Sequence, residues 1–133
     1  MIELVLSKIK IDEKRNEQVI VLKQKDGKLL LPVIIGLPEV TAIKLKLSGV
    51  TVPRPMTHDL LLNTICSFGA SLKHVLIDRL ENDTFYAKLV LAQDGRELTI
   101  DARPSDGIAL ALRAEAPIYA DKKVLEQAGI SAE

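Results

Sequence analysis

Apolar residues occupy even positions at Ile2, Leu4 and Leu6, then odd positions at Ile9 and Ile11. A strand alternates its side chains with period two, so this switch of parity near Leu6–Lys8 predicts one strand broken by a bulge. Residues 12–17 read as a charged turn and residues 19–22 as a short β-branched strand. Asp26-Gly27 is a hairpin signal, and residues 29–35 form a third strand in which Pro32 points to an edge position or an irregularity. The opening is an antiparallel meander.

Gly36-Leu37-Pro38-Glu39 marks a change to helix. Pro38 suits the first turn, Glu39 complements the helix dipole there, and Gly49 suits the C-terminal end. Residues 43–47 alternate like a strand, but Val40, Ile43 and Leu47 fit a helix, and the capping residues decide for helix. After Val52-Pro53-Arg54-Pro55, a second helix is expected with Thr57 as N-cap, with Leu61, Ile65 and Phe68 buried and with Gly69 at its end. Residues 72–80, 84–92 and 96–102 read as strands joined by turns at Asn82-Asp83 and Asp94-Gly95. A third helix covers 104–114, Ile118-Tyr119 is short and extended, and Asp121 caps a last helix ending at Gly129. The expectation is a single α+β domain over 1–130, with largely antiparallel sheet elements and about four helices in the order βββαα-βββαα, and a frayed tail at 131–133. The two halves share a pattern, which hints at duplication, but no repeat is visible in the sequence.

A chain of 133 residues fits one domain. Its 18 basic and 18 acidic residues cancel, which speaks against a strong non-specific grip on nucleic acid. Four aromatic residues and no tryptophan leave little for a base-stacking platform. The lone Cys66 excludes an internal disulfide and a CxxC metal site; it reads as a small buried core residue, with a reactive thiolate as the alternative. The amino-terminal apolar run is broken by Glu3, Lys8 and Lys10, unlike a secretory signal, and no run nears the ~20 residues of a membrane span. A soluble, cytoplasmic protein is expected, with no membrane partner.

Two polar clusters stand at helix starts. In the first, Asp101 ends a strand whose Glu97, Thr99 and Asp101 share one face. Arg103 then supplies a fork suited to phosphate, Ser105 or Asp106 can cap the next helix, and Gly107 leaves its backbone N–H groups accessible as an anion site. Asp101 and Asp106 could also share a divalent cation. In the second, Arg54-Pro55-Met56-Thr57-His58-Asp59, His58 suits proton transfer near neutral pH and Asp59 could orient it or bind metal. Glu39 is a third candidate. All of these residues also read as plain caps, dipole partners and local ion pairs. His74, inside a strand, reads as structural. No GxGxxG, P-loop, GxSxG or HExxH motif occurs.

Taken together, Leu31-Pro32-Val33-Ile34-Ile35-Gly36, Pro38-Glu39, Arg54-Pro55-Met56-Thr57-His58-Asp59-Leu60-Leu61, Phe85-Tyr86-Ala87, Ile100-Asp101-Ala102-Arg103-Pro104-Ser105-Asp106 and Pro117-Ile118-Tyr119 resemble the bifunctional nuclease domain family of bacteria, archaea and plants. The likeness runs from about residue 2 to 129, and the pairing of its two central motifs is far more specific than either alone. It is similar to stand-alone bacterial members that lack the C-terminal module of plant relatives. The resemblance implies nuclease activity on RNA and DNA and marks Glu39, His58, Asp59, Asp101, Arg103, Ser105 and Asp106 as motif positions.

On that basis, Asp101 and Asp106, with Glu39 or Asp59, would hold Mg2+ or Mn2+; His58 would move protons; Arg54, Arg103, Ser105 and Gly107 would bind phosphate. This composite requires the two clusters to meet in one cleft. The rival expectation is a non-enzymatic anion-binding or assembly module. The Leu-rich helices exceed what a small monomer need bury, which points to a homo-oligomer.

Overall fold

A computed structural model describes residues 1–12, 14–15 and 17–131 of the chain, leaving aside the side chain of Asp12. The expected turn at 12–17 and the tail at 131–133 therefore fall partly outside the described residues. One mixed sheet of eight strands runs β6-β5-β4-β7-β1-β2-β3-β8. The first meander is β1 (Ile2–Asp12), β2 (Glu17–Gln24) and β3 (Leu29–Ile35), and the second is β4 (Ser71–Glu81), β5 (Thr84–Gln93) and β6 (Arg96–Ala102). The β1–β2 register slips between Leu6 and Lys8, where the apolar parity switches. Pro32 sits where β3 has an open edge, because β8 (Ile130–Ser131) pairs with Leu29 and Leu30 alone. Asn82-Asp83 and Asp94-Gly95 all take positive φ, the backbone of tight hairpin turns.

Three residues join the meanders. β7 (Ile118–Ala120) lies between them, antiparallel to β1 and parallel to β4. The extended segment expected there is thus the seam of the sheet. Neither its pairing nor β8 was expected from the sequence, and Ser131 belongs to β8 rather than to a frayed tail.

The helices are α1 (Leu37–Ser48), α2 (Thr57–Ser67), α3 (Pro104–Ala114) and α4 (Lys122–Ala128). Gly36 caps the start of α1 and Gly49, in left-handed geometry, its end. Two expected caps are corrected. Met56 rather than Thr57 is the N-cap of α2, because the Asp59 carboxylate reaches back to the Met56 N–H at 3.0 Å. Arg103 rather than Ser105 or Asp106 is the N-cap of α3, because Pro104 takes the first helical position. On α2, Ile65 is buried as expected, but Leu61 and Phe68 are exposed, and so is Cys66.

α3 is the centre of the core. Ile108, Ala109, Leu110 and Ala111 are all buried, so the middle of the helix is enclosed on every side. It packs on β4 and β5 below and on α1 and α2 above. Gly107 sets how close it comes to the sheet, since an added Cβ would lie 2.7 Å from Val75 Cγ1. At the far end of α3, Arg113 ties the three helices together. Its Nε donates to Asp59 Oδ1 at 2.6 Å, its Nη1 to the Ala109 carbonyl at 3.1 Å and its Nη2 to the Ala42 carbonyl at 3.2 Å.

Two outcomes follow from this packing. Gly107→Ala gains helix propensity, up to about 1 kcal/mol, yet overpacks Val75. A net loss of about 1–2 kcal/mol is expected in urea unfolding, and a stabilised variant would refute the close approach. The Met56 N–H, then Arg113, hold the Asp59 carboxyl below its ordinary value of 3.8. A depressed carboxyl stabilises the fold at pH above 3.8, and that stabilisation is lost as pH falls through the lowered folded value. Asp59→Asn is therefore expected to cost about 1.5–3 kcal/mol at neutral pH, with the gap narrowing below pH 3.8. A gap independent of pH would rule this out.

Candidate functional site

Three helix starts meet at one cleft. Leu37, Pro38 and Glu39 open α1, Met56, Thr57 and His58 open α2, and Arg103 and Asp106 open α3; all line a cavity of about 570 Å3. Each helix N-terminus carries a partial positive charge of roughly half an electron unit. Carboxylates at first-turn positions and an anion in the cleft are both favoured by that arrangement.

The polar side chains form a relay. His58 Nε2 and Asp106 Oδ1 are 2.9 Å apart, although 48 residues separate them in sequence. Arg103 Nε donates to the other oxygen of the same carboxylate, also at 2.9 Å. Arg103 Nη1 lies 3.3 Å from Glu39 Oε1. Glu39 and His58 are buried, while the Arg103 side chain is 66% exposed and reaches from the wall toward solvent. Gly36 makes room for Glu39: a Cβ there would come within 2.7 Å of Oε1.

Burial pushes the Asp106 carboxyl up, but the hydrogen bonds from Arg103 and His58 outweigh it and leave the carboxyl below its ordinary value. Asp106 in turn raises Arg103, first through that hydrogen bond and then through charge. An ionised Asp106 can only accept hydrogen bonds, so His58 Nε2 carries a proton, and in the neutral imidazole the lone pair then sits on Nδ1.

The two sequence clusters thus meet, but through different residues than expected. His58 pairs with Asp106, not with its neighbour Asp59, which turns to Arg113 and the Met56 N–H. Asp101 does not line the cleft. Its strand partner is Lys88, and the alternate residues Leu98, Ile100 and Ala102 stand opposite Leu91, Leu89 and Ala87 of the core. Asp101 therefore points to the sheet face away from α3. Arg54 is exposed and does not line the cleft either. Ser105 is buried and lines an adjoining cavity that also borders Arg103. Gly107 is turned to the sheet, and its N–H already donates to the Arg103 carbonyl at 3.0 Å, so it offers no accessible donor. His74 stacks edge-on against Tyr119, and burial lowers its pKa, in keeping with a structural place.

The expected metal ligands do not assemble. Arg103 stands between Glu39 and Asp106, Asp101 faces away, and among the described residues no group of three His, Cys, Asp or Glu side chains could hold a metal ion. Sequence reasoning missed Arg113 altogether; its one signal is a basic residue in the last turn of α3, where a cation suits the dipole. No helix among the described residues is long and apolar enough to cross a membrane.

The profile of the bifunctional nuclease domain matches residues 20–133. An uncharacterized protein of Mycobacterium tuberculosis is 43% identical over 122 residues, which cover 92% of this chain and 73% of that protein. Bifunctional nuclease 1 of Oryza sativa subsp. japonica is 28% identical over 126 residues, covering 92% of this chain but 38% of its own length. Bifunctional nuclease 1 of Arabidopsis thaliana is 29% identical over 107 residues, covering 77% of this chain and 33% of its own. The chain therefore spans well under half of these plant relatives. By the extent of the profile match, the chain belongs to the bifunctional nuclease domain family.

Proposed function

We propose that the chain hydrolyses phosphodiester bonds of RNA and DNA in the cleft shared by α1, α2 and α3. One observation carries the reading: a single carboxylate, Asp106, orients His58 with one oxygen and Arg103 with the other. An imidazole suited to proton transfer and a guanidinium suited to phosphate thus stand side by side at converging helix starts, which supports the reading. The plant relatives' names support the same activity.

In this reading the Arg103 guanidinium grips a non-bridging phosphate oxygen. His58 Nδ1 takes a proton from water, the water oxygen forms the new bond to phosphorus, and the leaving oxygen departs as the bridging bond breaks. The imidazolium then returns its proton to that oxygen. Water rather than a ribose hydroxyl must attack, since DNA lacks the 2′-hydroxyl. No step is assigned to Mg2+ or Mn2+, because the carboxylates that would hold the ion are bridged by Arg103.

The test is cleavage of single- and double-stranded RNA and DNA by purified protein, with Mg2+, Mn2+ or EDTA. His58→Ala and Asp106→Asn are each expected to lower kcat about 10²–10⁴-fold, while Asp101→Asn stays near the parent. Equal cleavage by His58→Ala and parent would assign the activity to a contaminant. The balance of 18 acidic and 18 basic residues favours a second reading, an anion-binding module without turnover. There, neither the parent nor His58→Ala would cleave, Arg103→Ala would abolish binding of a phosphate ester, and His58→Ala would leave that binding unaltered.

A further inference from the structure

β6 is the end strand of the sheet, and six of its seven residues are exposed. Its hairpin with β5 closes on the two-residue turn Asp94-Gly95, so the flanking pair Gln93–Arg96 is a hydrogen-bonded one. Counting on from it, the backbone groups of Leu98, Ile100 and Ala102 point to β5. Those of Glu97, Thr99 and Asp101 point outward, toward the open edge. Leu98 and Ile100 stand opposite Leu91 and Leu89, on the core face of the sheet, yet they remain 37% and 45% exposed. α3 covers that face over β4 and β5 and leaves the end strand bare.

An unpaired edge of this length with uncovered apolar residues is a template for adding a strand. We infer that a second copy of this chain adds to it, β6 pairing antiparallel with its own equivalent about a two-fold axis at Ile100. Outward backbone groups must meet outward groups, which permits registers that oppose residues of like parity. An axis at Thr99 would set Glu97 against Asp101, two like charges. An axis at Leu98 would set Arg96 against Ile100. An axis at Ile100 sets Ile100 against itself, Leu98 against Ala102, and Thr99 of one copy against Asp101 of the other. That register matches apolar to apolar and opposes no like charges within the strand, so the strand is complementary to itself, as a closed two-fold interface requires. The two sheets then become one, and the bare stripe of Leu98 and Ile100 is covered by its own copy.

Sedimentation of the full chain over a range of concentrations tests this, with a monomer–dimer equilibrium expected. Thr99→Pro removes an outward N–H and no bond to β5; it is expected to give a monomer with the parental circular dichroism. Residues opposed at a non-hydrogen-bonded position lie about 4.5 Å apart at Cα, within disulfide range. In a Cys66→Ser background, which removes the exposed native thiol, Ile100→Cys is expected to cross-link two chains under mild oxidation and Leu98→Cys is not. A parent that stays monomeric, a dimer that survives Thr99→Pro, or cross-linking at Leu98→Cys in place of Ile100→Cys would each overturn the proposal. Should Thr99→Pro fail to fold, the two cysteine variants decide alone.

Discussion

The arrangement depends on how closely α3 lies against the sheet. Gly107 lets the helix approach Val75 to a distance no side chain would allow. Everything else at the site is measured from that contact. Arg103 and Asp106 lie one turn or less from Gly107, and Arg113 lies at the other end of the same helix. A shift of α3 by even an ångström would therefore move both ends together. The neighbouring buried residues, Ile108 to Ala111, explain why such a shift is costly: the helix is packed on all sides, and a close-packed core does not deform gradually.

The two ends of α3 then do related work with opposite components. At its start a carboxylate on α3 reaches a histidine on α2; at its end a guanidinium on α3 reaches a carboxylate on α2. His58 and Asp59 are adjacent in sequence, so the second bond fixes the rotation of α2 that the first one needs. Arg113 also holds the Ala42 carbonyl of α1, the helix that carries Glu39. The cleft is thus pinned from behind by a partly buried ion pair, and the partly buried Asp106 stays ionised because two donors repay its desolvation.

How much of this was legible depended on whether the signal was local. Alternation gave six strands and even the bulge at Leu6–Lys8. Gly49 and Asp121 gave helix ends and starts. β7 was not legible as the seam, because three residues carry no period and its parallel partner in β4 is distant in the chain. Thr57 and Ser105 were good caps by residue type, but Pro104 and the backward reach of Asp59 set the helix starts elsewhere. Asp101 was read with the right parity and the wrong consequence. A strand's polar face looks outward, while the helix that follows folds back over the inner face, so Asp101 and Asp106 end on opposite sides of β6. The motif residues Glu39, His58, Arg103 and Asp106 do converge, but their pairing spans residues that no local pattern relates.

Zero net charge and an anionic substrate are less at odds than the sequence suggested. The cleft holds two carboxylates against one guanidinium, which by formal charge would repel a phosphate. Three helix starts also end there, each contributing roughly half a positive charge close at hand. Their sum is comparable to the excess of one carboxylate, so the local balance is near neutral or slightly positive while the rest of the surface adds no long-range field. In the proposed function, such a site would recognise a phosphate by short-range geometry rather than by attraction from a distance. It would hold a strand weakly, with few counterions released and little dependence on salt. It also gives Arg103 a particular place: with Nε on Asp106 and Nη1 near Glu39, the exposed remainder of its fork is where an incoming phosphate oxygen can compete with Glu39 for the same cation. Binding would then free the Glu39 carboxylate at the moment the substrate arrives, coupling the grip on phosphate to a change in charge beside His58.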